Sequence, residues 1–316
     1  MLKYTLKKLL SLIPKMLIIS VILFVGLDML PGDPLARSIP VEQYELMTEE
    51  QLDQMRESLG LNAPVHIRYI NWLGNLLKGD LGYSTVQKQS IADMLSNRMP
   101  YTMELCVYGL IVATVIGLVF GFVAAVMRRT PVDYILDGTA LAGVSIPEFF
   151  AALCLMVVFA VELKWFPTGG RVNPDGGSRI PYMVLPIACM AMHYSATLVR
   201  NVRTNMIEVM DKEYVKTARS KGISEVVVYI KHAYRNAMIP SMILMCMRLP
   251  MLIGGFVVIE QIFSYAGVGE INLKAVKYGD IPVAMFILML SGILSMIGST
   301  LADLCTGLLD PRVRLE

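Results

Sequence analysis

Six stretches of this chain are long and apolar enough to cross a bilayer. They run roughly over residues 9–30, 101–127, 138–163, 182–200, 238–262 and 283–306. A helix rises about 1.5 Å per residue, so about 20 mostly apolar residues span a hydrocarbon core about 30 Å thick. Inside that core every backbone N–H and C=O must be satisfied locally, which leaves helices as the only open-ended solution. The expected fold is therefore an all-α polytopic membrane protein with six transmembrane helices. Composition agrees. The chain is 55% hydrophobic and 17% charged, with a mean hydropathy of +0.57. Soluble domains are about 45–50% apolar and about 25% charged.

The first apolar run follows Lys3, Lys7 and Lys8 and leads directly into Pro-Gly-Asp-Pro at 31–34, without a small-residue cleavage pattern. It reads as an uncleaved signal anchor. Lysine and arginine then set the orientation. With the N-terminus inside, 16 of them fall in cytoplasmic segments and 11 in outer ones, six of the 11 in one long loop, and Arg248 lies within a span. Both termini are expected to be cytoplasmic. The chain divides into an anchor helix (1–30), an extracytoplasmic segment (31–98), a transmembrane core (99–309) and a cytoplasmic tail (310–316).

In the extracytoplasmic segment, Thr48 reads as an N-cap, Glu49 and Glu50 as a first turn and Gly60 as a stop. Ile67, Ile70, Leu73 and Leu77 recur at helical spacing after Pro64. Together they predict a small helical cap. On the other side, residues 201–237 form a charged loop between two apolar runs. Within it Tyr214, Ala218 and Lys221 share one helix face, Gly222 is placed to end that helix, and Ser224 is placed to cap a second one bearing Val226, Val227 and Ile230. Such a pair of short helices suits either a solvated positive-inside loop or an element seated in a partner's groove.

Most remaining features have structural readings. The five cysteines lie in apolar runs, as buried thiols rather than a disulfide framework. The 23 methionines read as packing residues. His66 and His232 have no partner at metal-ligand spacing. Gly26, Gly117, Gly121, Gly254 and Gly255 suit close helix approach. Pro147, Pro186 and Pro250 should kink or break their spans. No nucleophile–base–acid set is visible, no catalytic residue is assigned, and an intramembrane hydrolase or a channel is a remote alternative. Nor is there a G-x-x-x-x-G-K-[ST] run to hold ATP. A net charge of +2 offers nothing to nucleic acid.

Glu148, His193 and Arg248 stand apart, because each falls about ten residues into its span, roughly 15 Å deep. Ionisable groups at that depth cost about 2.5–3.5 kcal/mol even on lenient scales and face protein or water. Two readings follow: Glu148 and Arg248 pair with each other or with a second subunit, or the three residues line a translocation path.

The stretch DKEYVKTARSKGISEVVVYIKHAYRNAMIP (211–240) resembles the cytoplasmic coupling loop of binding-protein-dependent ABC importer permeases, in particular the peptide and nickel branch. Glu213, Tyr214, Val215, Ala218, Arg219, Lys221, Gly222, His232, Ala233, Arg235, Asn236, Ala237 and Pro240 carry the match. So do PGDP at 31–34, LGLNAPV at 59–65, GDLGYS at 79–84, SIPEFF at 145–150 and DPR at 310–312. The resemblance implies a type I ABC importer permease fold, one of two homologous permeases. Two ATPase subunits would carry ATP and magnesium, and an extracytoplasmic solute-binding protein would deliver the solute. No cofactor or metal is expected on this chain. Glu213, Tyr214, Ala218, Arg219, Lys221 and Gly222 would form the ATPase-coupling loop, with small Ala218 and Gly222 allowing close approach. The turn Ser264-Tyr265-Ala266-Gly267-Val268-Gly269 lacks the Trp and Pro usual in such permeases, which predicts a less rigid turn. Peptides are the first expectation for the solute. Nickel or a metal chelate is the alternative, favoured slightly by the short loop at 164–181.

Overall fold

A computed structural model describes residues 2–309 apart from 30–32, 34, 37–38, 40, 59, 85, 172–176, 250 and 252–255. Gly254, Gly255, Pro250, most of PGDP and all of DPR lie outside the described residues. Helix α1 runs over Leu2–Asp28. The cap follows as α2 (Val41–Leu46), α3 (Glu49–Ser58) and α4 (Val65–Leu77). A two-residue antiparallel pair, β1 (Tyr83–Ser84) and β2 (Gln89–Ser90), leads into α5 (Ile91–Val126). Then come α6 (Pro131–Ser145), α7 (Glu148–Leu155) continuing as a π-helix to Glu162, and α8 (Ile180–Met210). The loop helices are α9 (Glu213–Ser220) and α10 (Glu225–Val227), the latter running through a π-helical stretch into α11 (Arg235–Cys246). Helices α12 (Val257–Ile262), α13 (Val268–Tyr278) and α14 (Ile281–Leu309) complete the chain.

Among the described residues three helices are individually long and apolar enough to cross a membrane: Ile91–Val126, Ile180–Met210 and Ile281–Gly307. A fourth crossing is made if α6 and α7 count as one, but they meet at 103°. The span expected over 138–163 is thus broken at Pro147, where a kink or break was expected, and the cause is local. Proline disfavours helical geometry in the residue before it; Ile146 is extended (φ −76°, ψ 124°), as is Pro147 (φ −57°, ψ 136°). The run expected over 238–262 is likewise divided, with α11 ending at Cys246 and α12 starting at Val257. Pro186, by contrast, leaves α8 uninterrupted. In α1 the apolar part is Leu10–Gly26.

Helices α5 and α8 form the centre. A Cβ on Gly117 would lie 2.6 Å from the Leu198 side chain, and one on Gly121 would lie 2.6 Å from Val202 Cβ and 2.9 Å from the Val199 carbonyl. Glycine at these sites lets the two helices approach backbone to side chain, as expected. Gly26 has nothing within 4 Å of a Cβ, so the close-approach reading does not hold there. Cys106 and Cys189 are buried in the central core beside Leu105 and Met190, whereas Cys154 is exposed, contrary to the expectation of five buried thiols.

The cap is tied together by charge as well as by its Leu35–Ile39–Leu52 core. Asp33 accepts from the Leu35 N–H (2.9 Å), the Tyr44 hydroxyl (3.0 Å) and the Arg56 guanidinium. Thr48 precedes α3 as expected, its N–H donating to Gln51 Oε1 at 2.9 Å. Arg68 in α4 forms a bidentate pair with Asp28 of α1, each side chain 17% exposed, while Phe24 packs on Tyr69 and Trp72.

Candidate functional site

Two places hold the residues singled out in the sequence, and the loop between α8 and α11 is the first. The expected charged loop over 201–237 is helical almost throughout: α8 continues to Met210, well past the apolar run. Helix α9 then turns back at Gly222, whose φ is +73°, a left-handed value that a side chain disfavours. Ser224 occupies the N-cap position of α10 with extended backbone, yet its side chain makes no capping bond.

Val215, Ala218 and Val228 are buried together against Val209 and Ile223. Ala218 therefore faces the chain's own loop core at 6% exposure, which corrects the expectation that its small size admits a partner. Arg219 clamps the two loop helices by donating to Glu225 (3.0 and 3.4 Å). Asn236 of α11 donates to the Tyr214 hydroxyl at 3.1 Å, tying α9 to the following span. Lys216 pairs with Glu213 at 2.8 Å, and the bond raises the lysine's pKa above its ordinary value. Side chains left outward include Tyr214 at 45%, Val226 at 65% and Ile230 at 56%. Lys221 and Gly222 are also exposed, and nothing lies within 4 Å of a Cβ on Gly222.

The second place lies inside the spans. Glu148 opens α7 immediately after the Pro147 break, and its Oε1 is buried without a partner. His193 Nδ1 is buried and unpartnered as well. Arg248, in the turn after α11, donates to the Tyr194 carbonyl at 3.3 Å and lies 4.4 Å from the centre of the Tyr194 ring. No ion pair joins Glu148 to Arg248 among the described residues, so the mutual-pair reading is not what forms here. The guanidinium is instead held by a carbonyl and an aromatic face. Two of the three residues meet at Tyr194, because His193 stacks edge-on against the ring that Arg248 also approaches, with the His193 and Tyr194 centroids 5.3 Å apart. A cleft of about 290 Å³ lined by Leu110, Thr114, Leu198, Leu244 and Arg248 opens beside the cluster.

Three buried carboxylates escaped sequence reasoning: Asp133 of α6, which pairs with Arg203 of α8, Glu260 and Asp280. Glu260 is 1% exposed and accepts from Thr102 Oγ1 at 2.7 Å and from the Glu270 N–H at 3.2 Å. Thr102 in turn accepts from the Val268 N–H at 2.8 Å. The 264–269 turn is thus folded around Glu260, with Tyr265 buried, so the missing Trp and Pro are replaced by a polar knot rather than by slack. Asp280, also 1% exposed, accepts from Ser84 and fixes the β1–β2 hairpin to the start of α14. The only sequence cue was an acid within or next to an apolar run.

Helices packed for a membrane, a self-braced helical loop outside the apolar spans and an ionisable cluster within them define the membrane component of a transporter. Comparison with known proteins fixes which one. Residues 117–315 match the family "Binding-protein-dependent transport system inner membrane component", and residues 1–106 match its N-terminal counterpart. A Brucella suis chain named, provisionally, as a peptide permease protein is 35% identical over the whole of both chains. The oligopeptide transport system permease protein AppB of Bacillus subtilis is 34% identical over 98% of each. The glutathione transport system permease protein GsiC of Escherichia coli is 32% identical over the full length of both. The chain belongs to the binding-protein-dependent ABC importer permeases, and to their peptide branch.

Proposed function

We propose that this chain is one of two permease subunits in an ATP-driven importer of di- or oligopeptides, working with two ATPases and an extracytoplasmic binding protein. The substrate class is supported by the relatives, which are named for peptide, oligopeptide and glutathione transport and align end to end. In this reading the chain crosses the membrane six times with both termini cytoplasmic. The bent α6–α7 pair and the divided α11–α12 run each count as one broken crossing. Discontinuous spans are where transporters place their substrate sites.

The 213–222 helix, with Glu213, Tyr214, Arg219, Lys221 and Gly222, sits in the ATPase groove. The outward face that supports this is Tyr214, Val226 and Ile230 rather than Ala218, which braces the loop from within. Glu148, His193 and Arg248 line the path. The observation carrying that role is the pair of buried, unpartnered atoms on Glu148 and His193, together with an arginine that meets no carboxylate among the described residues. A peptide supplies both missing charges, an ammonium for Glu148 and a carboxylate for Arg248.

The test is uptake into proteoliposomes containing the two permeases and the ATPases, with the binding protein added outside. ATP-dependent accumulation of a labelled dipeptide, competed by unlabelled peptides, is expected. Accumulation of nickel without peptide uptake would reject the substrate assignment while retaining the importer.

A further inference from the structure

A second cavity lies away from both places described above, between the C-terminal end of α4, the loop entering β1 and the first turns of α14. It holds about 290 Å³ and is lined by Trp72, Tyr83 and Phe286 together with Leu81 and Met285. Among the described residues that line it, Asp80 alone is charged. One carboxylate oxygen of Asp80 accepts from the Gly82 N–H at 3.0 Å, and among the described residues Asp80 enters no ion pair. Three aromatic side chains and a carboxylate without a counter-ion in one lining favour a cation over an anion or a neutral polar group.

The position selects its source. Trp72 packs on Phe24 of α1, and Val21 and Ile22, in the apolar Leu10–Gly26 part of that helix, are 41% and 63% exposed. The cavity also abuts the first turns of the spanning helix α14. It therefore borders a lipid-facing surface at the level where Trp and Tyr meet headgroups.

We propose that this pocket binds the primary ammonium headgroup of a zwitterionic lipid, of the phosphatidylethanolamine class, in the leaflet on the cap side. The ammonium donates to the open oxygen of Asp80 and stacks against the rings, while the acyl chains follow the apolar flank of α1. The lipid so bound fastens the cap to the membrane next to α14.

Trp72 is itself the reporter. The chain has two tryptophans, Trp72 and Trp165, so Trp165→Phe leaves a single fluorophore at the site. The full-length permease carrying Trp165→Phe is placed, without partner subunits, in nanodiscs carrying acyl-brominated phosphatidylethanolamine, phosphatidylcholine or phosphatidylglycerol at equal mole fraction. Trp72 should be quenched most by the ethanolamine lipid. Asp80→Asn should remove that preference, leaving the three lipids equal, and Phe286→Leu, which keeps the carboxylate, should weaken it. Equal quenching by all three lipids in the parent overturns the proposal, as does a preference that survives Asp80→Asn. Equal preference for the choline and ethanolamine lipids overturns the primary-ammonium assignment. If Asp80→Asn instead weakens capture of the solute-binding protein in lipid-free micelles, the cation belongs to that protein and the lipid proposal fails.

Discussion

Glu260 illustrates how a single buried charge can dictate its neighbours. A Cβ built on Gly267 would collide with the Glu260 carboxylate and with Thr102 Oγ1, and one on Gly269 would lie 2.7 Å from Glu260 Oε2. The glycines of this turn are therefore demanded by the carboxylate and not by positive φ. Gly267→Ala should destabilise the protein by about 1–3 kcal/mol, the usual cost of overpacking. Because the alanine and the carboxylate compete for one space, Gly267→Ala and Glu260→Ala should be strongly non-additive. Thermal unfolding of the two single variants and the double variant in detergent measures this, and additive losses would reject the arrangement. Arg248 makes a different case. It uses the ring and the carbonyl of Tyr194 but not its hydroxyl, so Tyr194→Phe should leave transport near the parent level. Tyr194→Leu, which removes the aromatic face, should lose about 0.5–2 kcal/mol of arginine anchoring. An equal loss of peptide uptake in both variants would contradict the stacking role.

At the level of elements, the 213–222 helix separates strain from docking. Gly222 has open space around it within this chain, so Gly222→Ala reports only the left-handed backbone, about 1–2 kcal/mol. Gly222→Trp carries the same strain plus whatever a partner adds. The two variants should share one thermal stability as isolated subunits, yet the tryptophan variant should lose far more ATP-driven uptake once the ATPases are present. Equal uptake would place Gly222 outside the ATPase contact. The cap makes a pH prediction. Arg56, hydrogen-bonded to Asp33, holds that carboxyl below its ordinary 3.8. A lowered native pKa gives stability that is complete above the unfolded value and drains away as pH falls through the native one. The cap should therefore keep its hydrogen-exchange protection down to about pH 4 and lose it below, and Asp33→Asn should flatten that dependence. Much at this scale was legible beforehand. Gly222 and Gly60 were identified as helix ends and Pro147 as a break, because such signals reside in one or two residues. What was not legible is long-range. Thr102 meets Glu260 across 158 positions and Ser84 meets Asp280 across 196, and no local pattern encodes such a pairing. Ala218 shows the related failure: its spacing grouped it with Tyr214 and Lys221, yet it is buried with Val215 while those two are exposed.

For the whole molecule the decisive quantity is which loops lie on which side. In the proposed topology 201–237 lies inside and the cap outside, and exposure in the fold decides which residues can report it. Ala218 would be a silent probe, since at 6% exposure it resists labelling from either side. His66 on α4 and Thr217 and Ser220 on α9 are exposed. The parent must first lose its five cysteines, among them the exposed Cys154, which would otherwise label on its own. In that background single cysteines at 66, 217 and 220 should divide cleanly. An impermeant maleimide added to intact cells should modify 66 alone, and positions 217 and 220 should react only after the membrane is opened. Six crossings require this division, because α1 leads out to the cap while α8 leads in to α9. Three intervening passes then join them, α5, the bent α6–α7 pair and α8 itself. If the α6–α7 pair re-entered its own side instead of crossing, the count would change by one. Positions 66 and 220 would then label from the same side, a result that would overturn the six-span topology and the cytoplasmic docking of α9 with it.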